Sequence, residues 1–295
     1  MQICNLWQGG SMDHTRHPRR YVVTGADSGL GREVARLLAR TADVVACGVG
    51  EGVDVRADLT TPDGRAALVE QVRRRTDDRL DAIVAVAGSG TPRPETVALN
   101  YFGTVEVLDG LRPALATSSA PAAVVVSSSS TLHRGSGALV RACARGDEER
   151  ALATARQLVR TRRGSQLYRS SKTALNHWVR TTAVREEWAG AGIVLNAVAP
   201  GIVATEAVLA TWERDRALLE TALPQPLGAP GPVAPVAHLL AHLASAENRS
   251  TTGQVVYCDG GTDALVRGTR PQRTYLRYPV RDVVAMWRAA RSRAA

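Results

Sequence analysis

The sequence predicts an α/β protein: a doubly wound parallel sheet with helices on both faces, folded as a single domain. Short apolar runs of the kind found in strands alternate with longer helical stretches along most of the 295 residues. The strand runs are apolar on both faces, which is typical of a parallel sheet covered on both sides. Aromatic residues make up only 4% of the chain, so Ala, Val and Leu must build the core, and an aromatic-rich β-sandwich is disfavoured.

In the first half of the chain, strands are predicted at three short apolar runs and at one run of alternating character. The apolar runs are 21–23, 44–46 and 82–87, and the alternating run is 53–57. Helices are predicted where apolar residues recur every three or four positions. These stretches are 34–40, 65–75 and 96–116. The regular alternation of the two predicts strand–helix–strand units and therefore a parallel sheet.

The second half continues this alternation but also carries additional segments. Strands are predicted at 124–126, 193–199 and 255–257, and helices at 167–188 and 233–244. The added segments are a helical insert at 133–165 with a charged helix at 147–163, an Ala-, Leu- and Pro-rich lid at 205–235, and a basic tail at 265–295. A disordered leader is expected at 1–19, which leaves 20–264 as the folded domain.

Composition excludes several classes of function. The net charge of +9 would suit nucleic acid, but the arginines are dispersed and no recognised nucleic-acid motif occurs, so no such partner is expected. None of the four cysteines forms a Cys-x-x-Cys pair, which predicts reduced thiols in a cytoplasmic protein. No apolar run has the length of a membrane span, and no clustered ligand spacing predicts a metal site.

A glycine-rich turn directly follows the first predicted strand and opens the first helix. It has the sequence Thr-Gly-Ala-Asp-Ser-Gly-Leu-Gly from Thr24 to Gly31. Glycines allow a tight turn there and a close approach to a pyrophosphate, while the helix N-terminus offers free amides and a partial positive charge. A dinucleotide site is therefore predicted rather than a turn without a ligand. Its residues in the turn are Gly25, Asp27, Ser28, Gly29, Leu30 and Gly31.

The choice of dinucleotide depends on the end of the second strand. An acid there would bind the ribose hydroxyls of NAD, and an arginine would bind the phosphate of NADP, but this chain has Gly48. Arg32 and Arg56 are near in sequence for a phosphate, and Glu51 for a ribose. We expect NAD(P), with NADP(H) favoured.

Asp58-Leu59 follows the alternating run at 53–57. An aspartate at this place accepts a hydrogen bond from an adenine amino group, or else caps the following helix. The residues themselves leave both interpretations open.

The chain has one lysine, Lys172, against thirty-six arginines. It lies four residues after Tyr168, and this spacing puts both side chains on one face of a helix. A phenol with a pKa of about 10 is a poor base at neutral pH, and a neighbouring ammonium lowers that pKa. A lowering by roughly 2–3 units corresponds to about 3–4 kcal/mol and makes Tyr168 a usable general acid/base. The planar guanidinium of an arginine would not fit the position that the compact ammonium of a lysine takes beside the phenol.

Taken together and in order, these motifs resemble those of the short-chain dehydrogenases/reductases over roughly 21–263. The matching residues are the Thr24 to Gly31 turn, Asp58-Leu59, Ala87-Gly88, Asn100, Ser128, Tyr168, Lys172, Pro200-Gly201 with Thr205, and Asp259-Gly260-Gly261. Ser128 and Tyr168 are 40 positions apart, a long gap for this family. With Asn100-Tyr101-Phe102-Gly103, that gap resembles the bacterial 3α-hydroxysteroid dehydrogenase/carbonyl reductase branch.

The resemblance implies a Rossmann-type catalytic domain with Asn100, Ser128, Tyr168 and Lys172 as its catalytic set. Tyr168 would transfer the proton, and Ser128, chosen from the run Ser127 to Ser130, would hold the substrate oxygen. Lys172 would also bind the nicotinamide ribose, and Asn100 would hold a relay water, unless it only kinks or caps its helix. The cofactor-binding residues implied outside the turn are Asp58, Leu59, Ala87, Gly88, Tyr168, Lys172, Pro200, Gly201, Val203 and Thr205, the last at the nicotinamide carboxamide.

The expected function is hydride transfer between nicotinamide and a ketone or secondary alcohol, in a homodimer or homotetramer by family analogy. The family asparagine before Ala87 is Val86 here, a change expected to affect stability more than chemistry. Two alternatives stay open. One is a redox-neutral dehydratase, epimerase or cyclase on the same fold. The other is a nucleotide-sensing regulatory protein whose basic tail, Arg267 to Arg293, docks a partner.

Overall fold

Seven parallel strands form one sheet in the computed structural model, which describes residues 18–270. The strands are β1 (Arg20–Thr24), β2 (Asp43–Gly48), β3 (Val55–Arg56), β4 (Ala82–Ala85), β5 (Ala122–Val126), β6 (Val194–Pro200) and β7 (Val255–Cys258). Their order across the sheet is β3-β2-β1-β4-β5-β6-β7. All but residues 18 and 19 of the predicted leader, and most of the predicted basic tail, lie outside the described residues.

The described helices include every predicted one. They are α1 (Gly29–Leu38), α2 (Pro62–Thr76), α3 (Glu95–Val97), α4 (Thr104–Leu115), α5 (Gly137–Ala144), α6 (Glu148–Arg160), α7 (Gln166–Thr182), α8 (Glu206–Leu209), α9 (Trp212–Ala222), α10 (Val233–Leu243) and α11 (Thr262–Arg267). A π-helical segment, Ala98–Gly103, joins α3 to α4. The helix α11 crosses the position at which the basic tail was expected to begin.

The helix predicted at 167–188 is shorter than expected. It ends at Thr182, and a separate π-helical turn follows at Glu186–Gly190. The break turns the chain back so that Trp188, which is buried, packs edge-on against Trp178 with ring centroids 5.8 Å apart. Tertiary packing of these rings therefore outweighs the helical periodicity of the segment.

Both faces of the sheet are buried, as the apolar strand runs predicted. Val22 and Ile83 belong to a core shared with α2, α4 and α7, while Val23 and Val84 belong to a second core shared with α1 and α10. Successive residues of one strand thus serve opposite cores, which is the two-residue periodicity of a pleated strand. The strand order reverses between β1 and β4, so the crevice for a ligand is expected at the carboxyl ends of these two strands.

The predicted insert at 133–165 folds into α5 and α6, which pack beside α7. Asp147 caps α6 by accepting a hydrogen bond from the Arg150 amide at 3.0 Å. The buried Arg65 of α2 anchors the insert, because its guanidinium donates two hydrogen bonds to Glu148, at 2.6 and 2.8 Å. Arg65 also donates to Glu106 at 3.0 Å and to the Leu59 carbonyl oxygen at 2.9 Å.

Replacing this buried guanidinium should destabilise the protein. We expect Arg65→Met to lower the free energy of unfolding by about 2–4 kcal/mol, because it leaves Glu148 and the Leu59 carbonyl without their partner. Urea unfolding followed by circular dichroism measures the change. Arg73→Met is the matched control on the same helix: its ion pair with Asp78 is exposed, and we expect a much smaller loss than for Arg65→Met. Equal losses in both variants would contradict the anchoring role.

Candidate active site

The glycine-rich turn lies between β1 and α1, where the sheet order reverses. Gly25 has a φ of +68°, and a Cβ on it would lie 2.9 Å from the Ala87 backbone. A Cβ on Gly31 would lie 2.0 Å from the Gly25 carbonyl oxygen. Both positions therefore need glycine for close backbone approach, and the turn leaves backbone amides at the start of α1 accessible to an anion.

A cleft of about 630 Å³ opens in front of this turn. Seven of the predicted cofactor-binding residues line it: Gly25, Asp27, Ser28, Asp58, Leu59, Ala87 and Gly88. Gly29, Leu30 and Gly31 lie at the first turn of α1 beside it. The glycine backbone, the helix start and a cleft of this size fit a dinucleotide.

The side chain of Asp58 lies at the rim of this cleft and is exposed. Its Oδ1 accepts a hydrogen bond from the Thr60 amide at 2.9 Å. The cap of α2 is Thr61, whose hydroxyl accepts from the Gly64 amide at 3.1 Å. The alternative interpretation of Asp58 as the helix cap is therefore wrong.

Lys172 lies on the buried face of α7 and is 2% exposed. Its ammonium donates a hydrogen bond to the Val126 carbonyl oxygen at 2.7 Å, and it lies 6.0 Å from the centre of the Tyr168 ring. A Cβ on Gly88 would lie 3.4 Å from this ammonium and 3.1 Å from Oδ1 of Asn100. The absence of a side chain at Gly88 therefore connects the dinucleotide cleft to the lysine.

Asn100 is fully buried at the centre of the π-helical segment. Its Oδ1 accepts from the Ser89 amide at 2.8 Å, while Nδ2 donates to the Ser89 carbonyl oxygen at 2.9 Å and to the Ser171 hydroxyl at 3.2 Å. Ser171 donates in turn to the Tyr168 carbonyl oxygen at 2.8 Å. Asn100 thus clamps the loop after β4 to the helix that carries Tyr168 and Lys172.

Sequence analysis missed Ser89 and Ser171 as partners of Asn100. Ser171 immediately precedes Lys172, and this adjacency was the available signal. Ser89 acts through its backbone, which no residue pattern indicates.

The serine run after β5 divides its side chains between two places. Ser127 donates to Oδ1 of Asn176 at 2.6 Å within the buried interior. Ser128 lies near enough to the Tyr168 phenol to lower its pKa, and its hydroxyl accepts a hydrogen bond from the Ser130 amide at 3.1 Å. The hydroxyls of Ser129 and Ser130 are buried and find no partner within the described residues. Of the four serines, Ser128 is thus the one beside the Tyr168 phenol.

The pKa of Tyr168 shifts in the direction opposite to that expected. Burial raises it above its ordinary value of 10.0, and the Ser128 hydroxyl lowers it in part. Burial also lowers the pKa of Lys172 from 10.5 to about 8. The expected acidification of the phenol by the ammonium, which lies 6.0 Å from the ring centre, therefore does not prevail over partial burial in the protein itself.

The residues that follow β6 reach back towards the glycine-rich turn. Thr205 caps α8, and its methyl carbon is 3.5 Å from where a Cβ on Gly29 would lie. Val203 pairs with Gly231 across the segment predicted as a lid, and Pro200 ends β6 beside Gly201. Of these residues, Thr205 meets the start of the first helix, whereas Gly201 and Val203 line a separate pocket of about 520 Å³.

Two charged or polar contacts hold this lid segment. Arg32 of α1 forms an ion pair with Glu206, next to Thr205. The ring of His133 lies 2.7 Å from the Ala222 carbonyl oxygen at the end of α9. Both partners on the lid are more than 80 residues distant in sequence, so neither contact was predictable.

A second groove, of about 770 Å³, lies between α2 and α4 and is lined largely by charged side chains such as Glu70, Arg73 and Arg74. None of the predicted site residues lines it. The cleft at the glycine-rich turn is therefore the candidate active site, although it is the smaller of the two. In the described part of the chain no cluster of three metal-ligating side chains occurs, and no helix there is both long and apolar enough to cross a membrane.

Comparison with known proteins gives a consistent result. The family profile described as enoyl-(acyl carrier protein) reductase matches residues 25–263. The 3-alpha-hydroxysteroid dehydrogenase/carbonyl reductase of Comamonas testosteroni is 31% identical over 84% of this chain and 98% of its own length. The cis-4-hydroxycyclohexanecarboxylate dehydrogenase of Sinomonas cyclohexanicum is 32% identical over 83% and 96%. The structure of a 3-alpha-hydroxysteroid dehydrogenase from Pseudomonas sp. B-0831 with NADH is 35% identical, covers 87% of this chain and all of its own, and has a TM-score of 0.76.

Proposed function

The chain belongs to the short-chain dehydrogenase/reductase family and is an NAD(P)-dependent oxidoreductase, and we propose that Tyr168 is its general acid/base. The substrate pair is a ketone and a secondary alcohol. The observation that carries the assignment is the meeting of Lys172, Asn100 and the dinucleotide cleft at Gly88. A redox-neutral or purely regulatory role is not favoured by relatives named as dehydrogenases.

The proposed chemistry divides the work between cofactor and protein. Bound nicotinamide supplies or accepts the hydride. The Tyr168 phenol donates its proton to the carbonyl oxygen during reduction, and Ser128 donates a hydrogen bond that orients this oxygen and stabilises its developing negative charge. The raised pKa of Tyr168 keeps the phenol protonated at neutral pH and therefore ready to act as the acid.

Lys172 has two proposed tasks. Its ammonium binds the nicotinamide ribose, and its positive charge stabilises the phenolate that remains after proton transfer. Asn100 acts as a positioning residue in addition to holding the relay water, because it joins the loop at Ser89 to α7 through Ser171. The segment from Pro200 to Thr205 closes the nicotinamide side, with Thr205 at the carboxamide.

We also propose that the substrate carries its hydroxyl or carbonyl on an apolar ring. Both of the curated relatives described above have names that specify hydroxylated ring compounds. The segment 205–235 exposes three leucines, Leu209, Leu218 and Leu227, which suits contact with an apolar substrate. We propose further that the protein forms a homodimer or homotetramer and is located in the cytoplasm. The three described cysteines are free, which supports a reducing compartment.

Cofactor preference was predicted from two arginines. Arg32 forms an ion pair with Glu206 and does not line the cleft, whereas Arg56 does. A nicotinamide cofactor is supported by the similar structure with NADH. The finer prediction of NADP(H) therefore rests on one exposed guanidinium.

A spectrophotometric assay tests the proposed function. With cyclic ketones at about pH 7, we expect oxidation of the reduced nicotinamide, followed by its absorbance, in step with formation of the alcohol. The reverse oxidation should accelerate as the pH rises from about 6 to 8, because the phenol must first lose a proton whose pKa is raised, and Lys172, whose pKa burial lowers to about 8, keeps its charge over this range.

Product analysis separates this proposal from its rival. Formation of a product without net consumption of the nicotinamide would support a redox-neutral reaction and contradict hydride transfer to substrate. An alcohol oxidation that slows steadily between about pH 6 and 8 would contradict Tyr168 as the base. The fold should be checked by circular dichroism at each pH.

A further inference from the structure

The end of β2 has Gly48 at the place where an acid for NAD or an arginine for NADP is expected. We propose that Asp27 of the glycine-rich turn supplies this missing carboxylate and makes the protein prefer NAD(H) to NADP(H). This inference rests on the proposed function, since it concerns the cofactor of the same site. It also opposes the preference predicted from Arg32 and Arg56.

The position of Asp27 follows from the sheet. Thr24 pairs with Cys47, and the Ala26 amide donates to the Cys47 carbonyl oxygen at 3.0 Å, so the turn lies directly beside the end of β2. Oδ2 of Asp27 accepts a hydrogen bond from the Gly50 amide at 2.9 Å. This bond holds the carboxylate across the end of β2.

The Asp27 side chain also explains two glycines of the neighbouring segment. A Cβ on Gly48 would lie 2.5 Å from Oδ1 of Asp27, and a Cβ on Gly50 would lie 2.9 Å from Oδ2. Neither glycine has a positive φ, so their backbone conformation does not require glycine. Asp27 therefore occupies the space that a side chain at position 48 would need. A carboxylate is thus present at the end of β2, but it comes from the glycine-rich turn and not from β2 itself.

The charges around the cleft favour NAD(H). Asp27 lines the cleft, and its Oδ1 has no hydrogen-bond donor among residues 18–270. A carboxylate oxygen in this position accepts hydrogen bonds from ribose hydroxyls and repels a phosphate on the same ribose. The opposing charge, Arg56, is exposed on β3 and therefore screened by solvent and salt. Arg32 is held by Glu206.

Binding measurements without substrate test the inference. We would determine dissociation constants of NADH and NADPH by titration calorimetry on the purified full-length protein. The wild-type protein should bind NADH at least about tenfold more tightly than NADPH. Asp27→Ala should remove most of this ratio, and Asp27→Asn, which keeps the size of the side chain but not its charge, should strengthen NADPH binding.

Two further variants make the test specific. Gly48→Asp combined with Asp27→Ala moves the carboxylate back to β2 and should restore the preference for NADH, because the smaller side chain in the turn leaves space for the new one. Glu51→Gln tests the other carboxylate that the sequence offered for a ribose: it is exposed and close by in sequence, and its removal should leave the ratio unchanged. Circular dichroism would confirm that each variant is folded.

The possible results distinguish failure of this inference from failure of the proposed function. Binding of both dinucleotides with a ratio that Asp27→Ala and Asp27→Asn leave unchanged, or a wild-type preference for NADPH, would overturn the inference alone. A fall in the ratio in Glu51→Gln instead would assign the ribose to Glu51 and overturn it as well. Failure of the folded wild-type protein to bind either dinucleotide would overturn the proposed function and the inference together.

Discussion

Tyr168→Phe is expected to lower kcat for carbonyl reduction by about 10²–10⁴-fold, the range typical of a lost general acid. The substitution removes one oxygen and leaves the ring beside Lys172, so binding of the dinucleotide should change little. Steady-state kinetics with the reduced cofactor and a cyclic ketone measures the first quantity, and calorimetric titration of the cofactor measures the second. Loss of kcat with retained binding places the effect on proton transfer.

Tyr21→Phe is the control for this experiment. Its hydroxyl accepts a hydrogen bond from Arg19 at 3.2 Å near the amino end of β1, whereas the cleft lies at the carboxyl end of this strand. We expect its kcat to stay within about twofold of the wild-type value, since general acid catalysis is not affected. A Tyr168→Phe variant that keeps wild-type turnover would remove Tyr168 from the proposed mechanism.

Lys172→Met should have two large and opposite effects. Turnover should fall by about 10²-fold or more, because the phenolate loses its stabilising charge and the nicotinamide ribose loses a donor. Stability at neutral pH should rise, because a buried ammonium with a lowered pKa is replaced by an apolar side chain of similar length. Lys172→Arg should not rescue turnover, since a guanidinium fork cannot take the place of an ammonium that donates to the Val126 carbonyl oxygen.

The pH dependence of this stability follows from the pKa of Lys172 in two states, 10.5 in the unfolded chain and about 8 in the folded protein. Below about pH 8 the lysine is protonated in both states, and the folded protein bears the full cost of the buried charge. Between about 8 and 10.5 only the unfolded chain holds the proton, so the free energy of unfolding rises with pH, by about 3 kcal/mol in total.

Urea unfolding of both proteins without nucleotide, at several pH values, checks this prediction. Cys47 and Cys143, whose pKa values burial raises to about 12, reduce stability in the alkaline range of both proteins, so the difference between wild type and variant is the useful quantity. That difference should be largest below pH 8 and shrink as the pH approaches 10.5. A difference independent of pH would contradict a buried, deprotonating lysine.

Much of the fold was predictable because its signals are local. The strands β1, β4, β5 and β6 are buried on both faces, so each appears in the sequence as a short apolar run, and the intervening helices carry their own periodicity. The end of α7 was not predictable in this way. There, Trp188 packs against Trp178 after a break in the helix, and such packing depends on residues ten positions apart meeting in space.

The same distinction applies to the site. The glycine-rich turn and the four-residue spacing of Tyr168 and Lys172 could be recognised in the sequence, because the first lies within one turn and the second within one helix. The choice between Ser127 and Ser128 depends on a tertiary contact, because the Ser127 hydroxyl donates its hydrogen bond to Asn176 of α7. The family itself was also recognisable from the order of these motifs.

By itself, then, the sequence determined the doubly wound architecture, the dinucleotide turn and the pairing of a tyrosine with the lone lysine, all of which depend on neighbouring residues. Only the tertiary structure decided that Asp27 fills the place beside Gly48, that Arg65 anchors the insert, and that the pKa of Tyr168 is raised. The physical reason is common to these three: excluded volume, buried charge pairing and desolvation arise from segments brought together by folding.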